Sequence, residues 1–133
     1  MTMAISTDVF QFFTPATPCE VWDQLTFTGR GSHIWGLTAD ATWIAGAPLR
    51  YGASGGPRLS GQVLFAAPPH RLSFTLGDDV DEPSTYVTWE VSSAESGSTV
   101  RLSIDSIEPC GDTSDDEELA WRPVLEELQR RLP

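Results

Sequence analysis

The chain has 133 residues, 40% of them hydrophobic, with five Trp and six Phe. That is the size and composition of one domain, residues 1–133, able to bury a core and one cavity. Its eight basic residues are all Arg and face 19 acids for a net charge of -11, a field that excludes nucleic acid and anionic membrane as partners.

The acid excess is uneven. Residues 1–76 hold four acids and four arginines, whereas the remaining 57 hold 15 acids and four arginines. The runs "DDVDE" and "DDEE" read as a solvated loop and a helix start, not as metal ligands. The opening "MTMAISTDVF" has neither a basic nor an apolar signal region, and no apolar run reaches membrane-spanning length, so a cytoplasmic protein is expected. Cys19 and Cys110 have no CxxC context and are expected as reduced thiols.

In chain order, "DVFQFFT" (8–14) is β-prone and stops at Pro15, giving the first strand. "TPCEVWDQL" starts a helix with Thr17 as N-cap, Pro18 in first position and Glu20 completing a capping box. Val21, Trp22 and Leu25 share one face of it. After Gly29 and Gly31, Ser32 is expected to cap a second short helix through Trp35, closed by Gly36. Strands follow: "TWIAG", "PLRYG", a hairpin tip at "GASGGP", then "RLSGQVLFAAPP", "HRLSFTLG", "STYVTWEVSS" and "STVRLSI". Leu72, Phe74 and Leu76, then Val87, Trp89 and Val91, then Val100, Leu102 and Ile104 alternate with polar residues, which predicts an antiparallel meander with one apolar face.

A cover for that face comes last. Ser114 and Glu117 form a second capping box, and Pro123 is expected to break or kink the chain. The final helix is expected from about Pro123 to Leu132, with Val124, Leu125, Leu128 and Leu132 as its apolar stripe and Arg130 and Arg131 at its C-terminal end.

No nucleophile motif, phosphate loop or zinc signature is present, and no catalytic residue, metal set or cofactor is expected. His33 and His70, the only two histidines, read as surface or loop residues. The tryptophans Trp22, Trp35, Trp43, Trp89 and Trp121 come from five different segments, and they serve either an ordinary aromatic core or the wall of an apolar cavity. Arg50 and Tyr51 are the polar candidates for such a cavity; being neighbours on one strand, only one of them faces inward. The remaining candidates for its wall are Phe65, Phe74, Leu102, Leu125 and Leu128.

The pieces "TPCEVWDQLT", "ATWIAGAPLRYG", "GQVLFAAPPHRLSFT", "STYVTWEV" and "WRPVLEELQRRL", in this order, resemble the START/SRPBCC helix-grip superfamily. Within it they are most similar to the short bacterial form of the activators of the heat-shock protein 90 ATPase. The resemblance spans residues 9–132. It implies an α+β helix-grip fold: a curved antiparallel sheet of about six or seven strands, order β-α-α-β-β-β-β-β-α, wrapped around a C-terminal helix. The segment "FTGRGSH" departs from the regular second helix of the family, and the companion N-terminal domain through which such cochaperones engage their chaperone has no room in this chain. The scaffold serves several functions. The expected one is non-covalent binding of a small hydrophobic or aromatic molecule between sheet and last helix. The alternatives are a cyclase or aromatase acting on a polyketide-like substrate, and a cochaperone-like module whose acidic half meets a protein partner.

Overall fold

In the structure, a computed structural model, residues 3–53, 58–77, 85–109 and 114–132 are described. The hairpin tip at 54–57, the "DDVDE" run and Cys110 lie outside them, as do the side chains of 114–120, including the second capping box and "DDEE".

Strand-period sequence forms seven strands: β1 (Met3–Thr14), β2 (Thr38–Ala41), β3 (Pro48–Gly52), β4 (Arg58–Ala67), β5 (Arg71–Leu76), β6 (Thr85–Ala94) and β7 (Gly97–Pro109). They make one antiparallel sheet in the order β1-β7-β6-β5-β4-β3-β2, with α1 (Pro18–Leu25) after β1 and α2 (Ser114–Arg131) at the C-terminal end. This is the α+β helix-grip arrangement, a curved open sheet closed on one face by its last helix.

Cross-strand register builds the inner face in rows. Leu72, Trp89, Leu102 and Phe10 lie opposite one another along one row, and Val63, Phe74, Val87 and Ile104 along the next. From α2 come Trp121, Val124, Leu125 and Leu128, and from α1 Val21 and Leu25, all buried in the same core. Each such side chain contributes about 1.5–3 kcal/mol on burial. The α1 entry has the form the sequence calls for: Thr17 Oγ1 accepts from the Glu20 N–H at 3.2 Å, and the Thr17 N–H donates to Glu20 Oε1 at 3.0 Å.

Four expectations need correction. The second short helix is a single turn: Ser32 N–H donates to Leu37 O, Gly36 N–H donates to Ser32 O, and Trp35 and Gly36 take φ of 49° and 71°. Consecutive left-handed residues cannot propagate a right-handed helix. The order is therefore β-α-β-β-β-β-β-β-α. "TWIAG" is a loop, because Trp43 also turns left-handed at φ 57°, and the strand there is "TADA". The last helix begins at Ser114 and runs through Pro123, giving up one i→i-4 hydrogen bond instead of breaking. The fourth correction concerns Phe65. A bulge between Val63 and Phe65 places Phe65 opposite Ser73 on the outer face, since one extra residue reverses the facing of everything after it.

Candidate functional site

The inner face narrows to an aromatic cluster. Alternation along β3 points Tyr51 inward and leaves Arg50 exposed on the opposite side. Tyr51 lies 6.4 Å from Phe74, centroid to centroid, and Trp43 lies 6.0 Å from the same ring. Phe74 and Trp89 occupy adjacent inner rows of neighbouring strands, and His33 meets Trp89 edge-on at 6.0 Å. Rings from a turn, a loop and three strands thus form two groups on the inner face, Trp43 and Tyr51 about Phe74, and His33 against Trp89, on adjacent rows of β5 and β6.

His33 comes from the turn that replaces the expected helix. Ser32 Oγ accepts from the Ile34 N–H at 3.2 Å, and this local closure turns His33 and Ile34 into the core while Trp35 stays 39% exposed. The surface reading of His33 is therefore corrected: it sits in a loop, but at 2% exposure. A six-residue turn has no period, so nothing in the sequence reveals which way its side chains face. Trp35 packs against Trp121 with centroids 4.7 Å apart and the rings tilted by 57°, joining the turn to α2. Arg131, on the last turn of α2, donates to Gly31 O and to Glu127, and its guanidinium lies over the Phe27 ring.

The polar atoms of this cluster are unusual. Among the described residues, His33 Nδ1 and Nε2, Tyr51 Oη and Trp89 Nε1 are all buried without a hydrogen-bond partner. Native interiors rarely leave such groups unmade. Burial, and secondarily the positive charge of Arg131 against the opposing Glu127, lowers the His33 pKa to about 4. Burial alone pushes the Tyr51 phenol above its ordinary range. Near neutral pH the cluster is uncharged. Trp89 can only donate, Tyr51 can donate and accept, and neutral His33 offers one donor and one acceptor.

Among the other residues read from the sequence, Leu102 stands opposite Trp89 and is buried, as are Trp121, Leu125 and Leu128 on α2. Arg50 and Phe65 are not brought to this face. Phe65 is half exposed beneath the Arg71 guanidinium, 5.6 Å from its centroid. His70 is structural, its Nδ1–H donating to Val91 O at 2.9 Å. Among the described residues, no three His, Cys, Asp or Glu side chains gather as a metal-ligand set, and no helix is long and apolar enough to cross a membrane.

The chain belongs to the family described as Activator of Hsp90 ATPase homolog 1-like protein, whose model matches residues 7–132. No curated protein matches it. Solved structures share its fold at low identity. A Bacillus halodurans protein solved in solution is 21% identical, with both chains fully covered and a TM-score of 0.77. The Aha1 dimer from Colwellia psychrerythraea is 15% identical over 96% of each chain, with a TM-score of 0.75. CalU16 from Micromonospora echinospora is 18% identical over 98% of this chain and 86% of that one, with a TM-score of 0.69.

Proposed function

We propose that this family member binds a small, uncharged, largely apolar molecule between the inner face of the sheet and α2. Tyr51, Trp89 and His33 are its polar contacts, and Trp43, Phe74, Leu102, Trp121, Leu125 and Leu128 form the apolar wall, with Trp35 at the rim. The observation that supports this reading is that three side chains of the inner face, Tyr51, Trp89 and His33, bury polar atoms that have no partner among the described residues. Each such atom costs about 1–3 kcal/mol when left unmade, so a bound molecule that presents an acceptor to Trp89 and a donor or acceptor to Tyr51 recovers that cost. Ordered water can meet the same atoms, and a ligand that reproduces its bonds displaces it. An ionised ligand is disfavoured, because neither His33 nor Tyr51 carries a compensating charge near neutral pH.

A second reading, a protein-interaction module, is supported by the family description and by exposed Val9, Phe13, Ile44 and Phe65.

Calorimetric titration with a matched pair, naphthol and naphthoate, tests the first reading. We expect naphthol to bind and naphthoate to bind at least about tenfold more weakly, a 1.4 kcal/mol difference. Tyr51→Phe should weaken naphthol binding while leaving the melting temperature unchanged or higher, since the hydroxyl it removes has no partner among the described residues. Absence of binding by both probes, or equal binding by both, contradicts the reading.

A further inference from the structure

The opposite face of the sheet carries a feature that the interior site does not use. Register along β2, β3 and β4 sets two adjacent outer rows: Asp40, Arg50 and Ser60 in one, and Thr38, Gly52 and Arg58 in the other. Gly52 brings no side chain, so the middle of the second row is a hollow flanked by the guanidinium-bearing residues Arg50 and Arg58. These residues line a groove of about 620 Å³.

Exposed Arg30 and Arg101, like Arg50 and Arg58, have no partner among the described residues, but Arg50 and Arg58 are the two that lie together in one groove. Arg71 lies over Phe65, and Arg130 and Arg131 are held by Glu127. Arg50 and Arg58 are exposed and form no hydrogen bond or ion pair among the described residues, although Asp40 is directly across the strand from Arg50. Both also belong to residues 1–76, where acids and arginines balance, while the whole excess of negative charge comes from the later residues.

We infer that this groove is a second binding site, specific for the phosphate group of a small phosphorylated molecule. A planar carboxylate is satisfied by one guanidinium fork, whereas a tetrahedral phosphate monoester offers three oxygens and about -1.5 to -2 charges. Two forks approaching from different strands, with the Thr38 and Ser60 hydroxyls as further donors, match the tetrahedral group better. Asp40 reduces the formal charge of the groove to that of one guanidinium, which favours a small ester over a polyanion. The site lies on the outer face and is independent of the interior reading.

The test is nitrogen-edited NMR of the full chain titrated with inorganic phosphate and with glycerol phosphate, using acetate at matched ionic strength as the comparator. The expected result is saturating shifts for the Thr38, Arg50, Gly52, Arg58 and Ser60 amides with Kd tighter than about 1 mM. Arg50→Gln and Arg58→Gln should each weaken that binding at least about tenfold, leave the melting temperature unchanged, and leave any response of the interior to naphthol intact. Shifts that fail to saturate, that acetate reproduces, or that survive both substitutions would overturn the site. Should one variant not fold, the other decides.

Discussion

His33 enters the core as a neutral ring, and its depressed pKa makes stability depend on pH in a defined direction. The unfolded chain takes up a proton near pH 6.5, whereas the folded one resists until about 4. The contribution of His33 is therefore fully present above 6.5 and is lost as pH falls through 4, for a total on the order of 3 kcal/mol. We predict that His33→Phe flattens the dependence of unfolding free energy on pH between those values; an unaltered slope would show that the ring titrates freely. Gly61 gives a second residue-scale prediction. A Cβ built there would lie 1.7 Å from the Thr75 carbonyl oxygen, so Gly61→Ala must shift a backbone and should cost about 3 kcal/mol or more. An unfolding midpoint equal to wild type would contradict that close approach. Alternation correctly admitted only one of Arg50 and Tyr51 to the interior, but it misplaced Phe65, because a bulge is a backbone event that leaves no period in the residues around it.

Among the elements, helix α2 shows how tertiary packing overrides a local rule. Pro123 marks a break in any reading of the sequence by itself, yet Trp121, Val124, Leu125 and Leu128 are buried on one continuous helix. Their burial outweighs one lost hydrogen bond at an exposed position. Pro123→Ala should therefore raise stability by about 1–3 kcal/mol, the restored bond being offset in part by a freer unfolded chain. A lower melting temperature would mean that the proline shapes the helix against the sheet. The capped entry of α1 and the strands from β4 to β7 were legible because caps and alternation are local signals. The turn at Ser32–Leu37 and the loop through Trp43 were not. Their left-handed tryptophans are held by distant partners, Trp121 for one and Phe74 and Thr28 for the other, the Trp43 indole N–H donating to Thr28 Oγ1 at 3.3 Å.

At the level of the whole molecule, the sheet divides two chemistries. Its inner face is largely apolar, apart from Asp8 opposite Ile104 at the β1 edge, and among the described residues Tyr51, Trp89 and His33 keep unmade hydrogen bonds there; its outer face near β3 presents two guanidiniums that have no partner among the described residues, over a glycine floor. The family and the helix-grip fold were legible from the order of the segments, whereas of the proposed interior site the sequence offered chiefly the apolar part. Its polar centre depends on His33, whose orientation is decided by a turn and not by a pattern. The most direct test of the interior site is to follow the Trp89 indole N–H resonance while naphthol is added. A saturating downfield shift, diminished in Tyr51→Phe, is the predicted result, because that N–H has no acceptor among the described residues and bound naphthol would supply one. An indole resonance that stays fixed at saturating naphthol would contradict the account.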